Sequence, residues 1–276
     1  MKHVFIVGGT HGNEWTGITI VKHLQHRIHK APELQLEFVH ANPKAFEINK
    51  RFVDIDLNRV FAPVHQNQNL QAVEYTRAKE LIAQFNQKPD GYIIDIHTTT
   101  GNMGATLILS QEEQWHKELA LFVSQKLKDV KVIFAIDHSK KYVATQLTHG
   151  AIIEVGPCSS SVNNPIVIDQ TIELCNVILE FIATAPKLKG NFEYYIEKEE
   201  ILYPLLDGKL AAMVHPKLQN QEFVPLKKGD PLFYHFDGHT QTFEGEKVYY
   251  PIFINEAAYY HYNIAMVLCE KHIMSV

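Results

Sequence analysis

A histidine and a glutamate three residues apart, His11 and Glu14, follow a short apolar run near the start of the chain. The run Val4–Val7 predicts a buried strand, and Gly8-Gly9 predicts the turn that ends it. An imidazole and a carboxylate at this spacing can bind one divalent cation, and zinc accepts such a nitrogen and oxygen pair. Catalytic zinc sites commonly have three protein ligands, so a third is expected elsewhere in the chain.

The third ligand is predicted at His97, which ends a second apolar strand, Gly91–His97. Open α/β sheets bind ligands at the carboxyl ends of their strands, which is where His11, Glu14 and His97 all lie. Asp95, two residues earlier on the same side of its strand, could orient the imidazole. The residues alone leave two plainer interpretations open, a buried histidine with satisfied hydrogen bonds and a structural aspartate.

Glu154 interrupts the apolar strand Ala151–Val155, and a buried carboxylate is costly unless it is paired or functional. In a zinc hydrolase a free carboxylate takes the proton from water, so Glu154 is a candidate general base. A buried ion pair with an arginine is the alternative. A further cluster, Arg51, Asn58 and Arg59, could bind a carboxylate or an oxyanion, or could form an ordinary solvated loop.

Strands and helices alternate over the first two thirds of the chain, which predicts an α/β fold with a largely parallel sheet. The predicted strands are Val4–Val7, Leu36–Ala41, Gly91–His97, Thr106–Leu109, Val130–Ile136 and Ala151–Val155; the predicted helices are Trp15–His29, Leu70–Phe85, Glu112–Leu127 and Ile166–Ala183. After residue 185 the pattern changes to short strands separated by turns, the last of them Tyr249–Ile254. We therefore predict a catalytic α/β domain at residues 1–187 and a smaller β-rich domain at residues 188–276.

The composition excludes several classes of partner. The chain has 276 residues, of which 46% are hydrophobic and 21% charged, with a formal net charge of −5. This acidic balance predicts no nucleic-acid partner and no anionic-membrane surface. No apolar stretch reaches the length of a membrane span or a signal-peptide core, so no membrane partner is expected. The three widely spaced cysteines, an odd number, favour reduced thiols and a cytoplasmic location.

Together the motifs resemble the aspartoacylase branch of the zinc carboxypeptidase-like family, which stands alongside the succinylglutamate desuccinylases. The resemblance covers nearly the whole chain, and its matching segments are Gly8–Glu14, Asp56–Phe61, Asp95–His97, Asn102–Gly104, Ile153–Pro157, His215–Gln219, Gly229–Phe233 and Asn255–Tyr260. It implies a mixed, largely parallel zinc-carboxypeptidase-like sheet flanked by helices. It also implies that the β-rich C-terminal domain closes over the active site and restricts it to small substrates.

The resemblance further implies one zinc ion (Zn2+) per chain and a hydrolytic mechanism. The zinc ligands that it implies are His11, Glu14 and His97. Glu154 would be the general base that activates zinc-bound water, and Arg51 would polarise the scissile carbonyl. The residues implied to contact the substrate are Asn58, Arg59, Tyr142 and Tyr259. The expected reaction is amidohydrolysis of N-acyl-L-amino acids, foremost of N-acetyl-L-aspartate to acetate and L-aspartate.

Three departures from the family pattern bear on specificity. Thr98 stands where aspartoacylases have an asparagine, and Gln146 lies near the position of their second substrate-binding arginine. The segment Cys158–Ser161 replaces a glutamine-rich one. Lys140 or Lys141 could restore the missing positive charge. We therefore predict that N-acetyl-L-aspartate is a substrate, but that its selection over neutral N-acetyl amino acids is weak.

Three alternatives to this function remain at the sequence level. The first is deacylation of other compounds, namely neutral or aromatic N-acetyl amino acids or N-succinyl amino acids. The second is carboxypeptidase activity on peptides, and the third is an inactive metal-binding module. A base at Glu154 and a cation at Arg51 argue against an inactive module, because a structural zinc site needs neither. The acyl group, the pathway and the formation of a homo-oligomer are left open.

Overall fold

The computed structural model describes residues 1–63 and 71–276. Within these residues a mixed sheet of nine strands forms the centre of the fold. In chain order the strands are β1 (Lys2–Gly8), β2 (Leu34–His40), β3 (Tyr92–Thr98), β4 (Gly104–Leu109), β5 (Lys131–Phe134), β6 (His149–Gly156), β7 (Asn191–Leu202), β8 (Leu205–Leu206), β9 (Lys209–Leu210), β10 (Ala212–Val214), β11 (Pro231–His235), β12 (Thr240–Thr242), β13 (Tyr250–Ile252) and β14 (Ile264–Ser275). The α-helices are α1 (Trp15–His23), α2 (Pro43–Glu47), α3 (Val73–Phe85), α4 (Gln114–Lys126) and α5 (Pro165–Thr184).

The nine strands lie in the order β13-β14-β7-β5-β4-β6-β3-β1-β2. Strand β1 pairs in parallel with β2 and β3, and β3 pairs in parallel with β6. Strand β4 runs antiparallel to β6 and parallel to β5, so the sheet is mixed but largely parallel, as predicted. Because β1, β3 and β6 are parallel neighbours, their carboxyl ends meet at one edge of the sheet, where open α/β sheets bind their ligands.

Both faces of the sheet are covered, and burial therefore alternates along β1 between two core clusters. Val4 belongs to a cluster with α1, α4 and α5, whereas Phe5 belongs to a second cluster with α3. A Cβ on Gly8 would lie 2.3 Å from the carbonyl oxygen of Gly17. Glycine at this position therefore lets α1 pack directly against the end of β1, and so places the start of that helix at the sheet edge.

The first helix ends earlier than predicted. Helix α1 ends at His23, and Gln25–Arg27 forms a short 3-10 helix instead of a further helical turn. The amide of His29 donates a hydrogen bond of 2.7 Å to Asn176 Oδ1 on α5. This tertiary contact gives the backbone a partner that the local pattern does not reveal. The predicted helix that begins at Leu70 corresponds to α3, and Leu70 itself lies outside the described residues.

The C-terminal region continues the central sheet. Strand β7 pairs in parallel with β5 and antiparallel with β14, and β13 follows β14 at the edge. The sequence prediction ended its strands at Ile254 and missed β14, because β14 begins as a buried apolar run and ends as an exposed polar one. Strands β10, β11 and β12 form a three-stranded sheet. The domain division at residue 187 stays a prediction, since the β5–β7 ladder joins both halves. None of the described helices is both long and apolar enough to span a bilayer.

Candidate active site

The three predicted metal ligands converge at the carboxyl ends of β1 and β3. His11 lies in the turn after β1, Glu14 is the N-cap of α1, and His97 lies near the end of β3. Their ligand atoms lie within 4.8 Å of one another, and they are the one such group of histidine, cysteine and carboxylate side chains in residues 1–63 and 71–276. The Glu14 carboxylate does not cap its helix; it turns towards the two imidazoles instead.

Each imidazole is held by a carboxylate on its far side. His11 Nε2 lies 3.1 Å from Asp56 Oδ1, and His97 Nε2 lies 2.8 Å from Asp95 Oδ2. Because an ionised carboxylate can only accept a hydrogen bond, the Nε2 atom of each ring carries the proton. The two Nδ1 atoms lie 3.2 Å apart beside Glu14, and with the proton on Nε2 each can offer its lone pair to a bound cation. The orienting role predicted for Asp95 agrees with this geometry.

The two Nδ1 atoms and the Glu14 carboxylate can bind one cation together. The two Glu14 oxygens lie 2.6 Å from His11 Nδ1 and 3.0 Å from His97 Nδ1. Two nitrogen ligands on a tetrahedral zinc ion lie about 3.3 Å apart, given Zn–N distances of about 2.0–2.1 Å. Although burial lowers the pKa of His97, Asp95 and Glu14 outweigh it and raise that pKa well above its ordinary value. The site thus favours positive charge, and its residues fit a zinc ion.

Glu154 lies beside the metal ligands with its carboxylate free. Strand β6 pairs with β3 in a register that makes Glu154 the direct neighbour of His97. In the described part of the chain no hydrogen bond or ion pair engages its side chain, and Arg51 binds other carboxylates instead. Burial raises the pKa of Glu154 to about 8, with His97 opposing the shift. A carboxylate without a protein partner beside the predicted metal ligands can serve as a base.

Arg51 bridges two carboxylates of the site. Its Nε donates to Asp56 Oδ2 at 3.1 Å, and its Nη1 donates to Glu14 Oε1 at 3.3 Å. The loop that carries Arg51 is held by Glu74 of α3, whose carboxylate accepts hydrogen bonds from the three amides of residues 53–55. The sequence predicted no role for Asp56 or Glu74. A role for Asp56 could have been inferred from its position in the matching segment Asp56–Phe61, whereas Glu74 lies in no matching segment.

Arg59 differs from Arg51, because no carboxylate pairs with it among the described residues. Its Nη1 donates to the Asn58 carbonyl oxygen at 2.9 Å, and its guanidinium lies 5.3 Å from the centre of the Tyr142 ring. Asn58 Oδ1 accepts a hydrogen bond of 2.9 Å from the Val143 amide, which leaves the Asn58 amino group for another partner. An unpaired guanidinium beside a cavity is suited to bind an anion, and above all a carboxylate.

Two adjoining cavities connect these groups. The inner cavity, of about 80 Å³, extends from the metal ligands to Arg59, and the outer cleft, of about 780 Å³, extends onward from Arg59 along β7. The predicted site residues that line the inner cavity are His11, Arg51, Asn58, Arg59, His97, Tyr142, Glu154 and Tyr259. Glu14 lines a smaller neighbouring cavity that shares His11, His97 and Glu154 with the inner one. The fold therefore brings every predicted site residue to one place, including Tyr259 from the C-terminal region.

Two glutamates without a predicted role also belong to this site. Glu256 accepts backbone hydrogen bonds from Thr100 at 2.7 Å and from Gly101 at 3.2 Å, so it ties the loop after His97 to the C-terminal region. Glu197 of β7 lines both the inner cavity and the outer cleft. Glu256 lies within the matching segment Asn255–Tyr260, which could have indicated a role for it. Glu197 lies in a strand rich in charged residues, and nothing in the sequence distinguishes it from its neighbours.

The chain matches known proteins over nearly all of its length. A family model described as the succinylglutamate desuccinylase/aspartoacylase catalytic domain matches residues 1–182, and one described as the AstE/AspA barrel-sandwich hybrid domain matches residues 190–271. A probable aspartoacylase of Nostoc sp. is 36% identical, over 100% of this chain and 98% of the relative. The N-acyl-aromatic-L-amino acid amidohydrolase (carboxylate-forming) of Xenopus tropicalis is 31% identical, over 98% and 93%. Murine aminoacylase 3 has a crystal structure that superposes with a TM-score of 0.92 at 29% identity, over 100% and 97% of the two chains.

Proposed function

Since the chain belongs to the succinylglutamate desuccinylase/aspartoacylase family and is an amidohydrolase, we propose that it uses one zinc ion to cleave N-acyl-L-amino acids. N-acetyl-L-aspartate, cleaved to acetate and L-aspartate, is among the proposed substrates. The observation that carries the proposal is the facing pair of Nδ1 atoms of His11 and His97, beside the free carboxylate of Glu154. The relatives are named for different substrates, so membership of the family leaves the amino-acid side chain open.

The chain's own residues supply binding and proton transfer. Zinc, when bound, would provide a Lewis acid for the scissile carbonyl and a water that ionises near neutral pH. Arg59 and the free Asn58 amino group hold the substrate's α-carboxylate, because neither has a competing carboxylate partner. Glu154 accepts the proton of the attacking water and delivers it to the leaving nitrogen. The free amino acid then departs as an amine.

Arg51 and two tyrosines complete the proposed mechanism. Arg51 lines the inner cavity next to Glu154, and its bonds to Asp56 and Glu14 fix its guanidinium before the oxyanion forms. Burial raises the pKa of Tyr142 to about 12, and burial likewise raises the pKa of Tyr259. Both phenols therefore stay protonated at neutral pH and can donate hydrogen bonds to the substrate carboxylate.

The size of the inner cavity favours a small acyl group. Phe253 and Tyr259, both from the C-terminal region, form part of its wall and leave about 80 Å³. This supports an acylase over a carboxypeptidase, which must admit a peptide. The free carboxylate of Glu154 supports an active enzyme over a metal-binding module. The three cysteines are buried and unpaired, which supports the proposed cytoplasmic location.

The decisive experiment joins metal analysis to a substrate panel. The purified protein should contain about one zinc per chain and hydrolyse N-acetyl amino acids, with N-succinyl amino acids assayed in parallel. Removal of the metal with a chelator should abolish hydrolysis, and added zinc should restore it. Active protein without zinc would refute the metal, and a zinc-loaded protein that cleaves none of the panel would refute the substrate class.

A further inference from the structure

Glu197 stands where the inner cavity meets the outer cleft. It lines both of them, and it shares both with Arg59, Tyr142 and Tyr259. On the proposed function, Arg59 holds the α-carboxylate of the substrate. Glu197 and Arg59 thus border the same space, which on the proposed function the amino-acid side chain of the substrate occupies.

The carboxylate of Glu197 has no partner in the part of the chain that the structure describes. Its neighbours on β7 are paired: Lys198 lies 3.2 Å from Glu270, and Glu193 lies 2.8 Å from Lys271. Glu197 instead faces Cys269 in the register with β14, and a buried thiol offers no cation. The unpaired oxygens are thus open to a ligand in the cleft.

The outer cleft has no excess of positive charge with which to bind a second carboxylate. Its charged lining residues are the cations Arg59, Lys141 and Lys198 and the anions Asp137, Glu197, Glu199 and Glu200. Gln146, which lies near the position of the family's second arginine, donates to the carbonyl oxygens of Lys140 at 2.8 Å and Tyr142 at 2.9 Å. Its amide is thus used within its own loop. Lys141 lies 5.1 Å from the centre of the Tyr142 ring and is the remaining cation next to Arg59.

We propose that Glu197 receives the end of the substrate's amino-acid side chain and selects a hydrogen-bond donor there over a carboxylate. This inference rests on the proposed function and adds a specificity-determining residue to it. The simplest matched pair of substrates is N-acetyl-L-asparagine and N-acetyl-L-aspartate, which have the same shape and differ in charge and in donors. An amide can donate to Glu197, whereas a second carboxylate meets a like charge.

The ionisation state of Glu197 decides the conditions of the test. Burial raises its pKa to about 7, with Lys141 opposing the shift and Glu200 adding to it. At about pH 8.5 the carboxylate is therefore largely ionised, and the discrimination should be at its full size. The wild-type enzyme should then show a kcat/KM for N-acetyl-L-asparagine at least about tenfold above that for N-acetyl-L-aspartate.

Glu197→Gln is the test variant, because it keeps the shape of the side chain and removes its charge. It should lower the asparagine-to-aspartate ratio about tenfold, mainly through faster use of N-acetyl-L-aspartate. Glu193→Gln is the matched control: an exposed glutamate of the same strand that lines neither cavity, so its substitution should leave the ratio unchanged. A wild-type ratio of one or less, or an equal ratio in wild type and Glu197→Gln, would overturn the inference.

A binding measurement separates failure of this inference from failure of the proposed function. N-acetyl-L-asparagine and N-acetyl-L-aspartate are each titrated into the zinc-loaded Glu154→Gln variant and into the double variant that also carries Glu197→Gln. The dissociation constants from calorimetry then report the same preference in the absence of turnover. If no N-acyl amino acid is hydrolysed by the wild type but the dissociation constants show the Glu197-dependent preference, the proposed function fails and the inference stands. If hydrolysis is observed but Glu197→Gln changes neither the ratio of kcat/KM values nor the ratio of dissociation constants, the inference fails and the proposed function stands.

Discussion

The proposed metal centre, formed by His11, Glu14, His97 and the side chains bonded to them, and the outer cleft are both polar, but their side chains are used differently. At the metal centre the supporting groups are bonded to one another; Asp56, for example, contacts both His11 and Arg51. In the cleft, Arg59 and Glu197 have no ion-pair partner among the described residues. Groups that are already bonded hold a geometry before a substrate arrives, whereas unpaired groups obtain their partner from the substrate.

This difference separates catalysis from specificity. Glu154, the proposed base, is the exception there, since its carboxylate has no partner among the described residues, and a base must be free to accept a proton. Changes at the metal centre should therefore lower kcat or zinc content, because they act on the transition state or on the metal. Changes in the cleft should alter KM and substrate preference while zinc is retained. The following variants test that division, from the largest expected effect to the smallest.

His97→Ala should cause the largest loss. Removal of one of three ligands should empty the zinc site and lower kcat on the order of a thousandfold or more. Elemental analysis of the purified variant, together with hydrolysis of N-acetyl-L-aspartate, measures both effects. His23→Ala, at an exposed position of α1, is the control and should keep zinc and activity. Wild-type zinc content in His97→Ala would show that the ligand set is wrong.

Glu154→Gln should separate the base from the metal. The amide keeps the shape of the side chain but accepts no proton, so kcat should fall about a hundredfold or more while zinc content stays at the wild-type value. Steady-state kinetics and metal analysis on the same preparation test this expectation. Near-wild-type turnover would assign Glu154 a structural role and place the base elsewhere.

Substitutions of the two arginines should affect different kinetic constants. Arg51→Ala should chiefly lower kcat, because its partner is charge that forms in the transition state. Arg59→Ala should chiefly raise KM, by about tenfold to a hundredfold, because hydrogen bonds to a charged group contribute about 1.5–3 kcal/mol. The control is Arg27→Ala, which removes an exposed ion pair with Asp169. If Arg51→Ala instead raises KM and Arg59→Ala instead lowers kcat, the roles assigned to the two arginines are reversed.

Asp56→Asn should have the smallest effect of the series. Loss of the carboxylate behind His11 should weaken zinc binding about tenfold, within the range found for groups that orient a metal ligand. A competition titration with a zinc chelator measures the affinity, and Asp129→Asn at an exposed position is the control. An unchanged zinc affinity would mean that the imidazole is held by its packing alone.

The sequence revealed the parts of the site that are tied to local signals. His11 and His97 each follow an apolar strand, and Glu14 starts a helix, so their positions at strand ends could be read from the pattern. Asp95 is two residues from His97 on one strand, which places both side chains on one face. Asp56 and Glu74 had no comparable signal, because Asp56 meets His11 across 45 residues of chain and Glu74 meets its loop across about 20.

The sequence by itself determined the alternation of strands and helices, and it indicated His11, Glu14, His97 and Glu154 as site residues while leaving an ion pair with an arginine open for Glu154. These follow from short-range periodicity and from residue types that the interior does not otherwise tolerate. Only the tertiary structure decided that β14 completes the sheet, that Gln146 turns into its own loop and that Glu197 borders the substrate cavities. Each of these depends on a pairing or a side-chain direction between distant segments, and no local pattern encodes which of two polar groups faces a cavity.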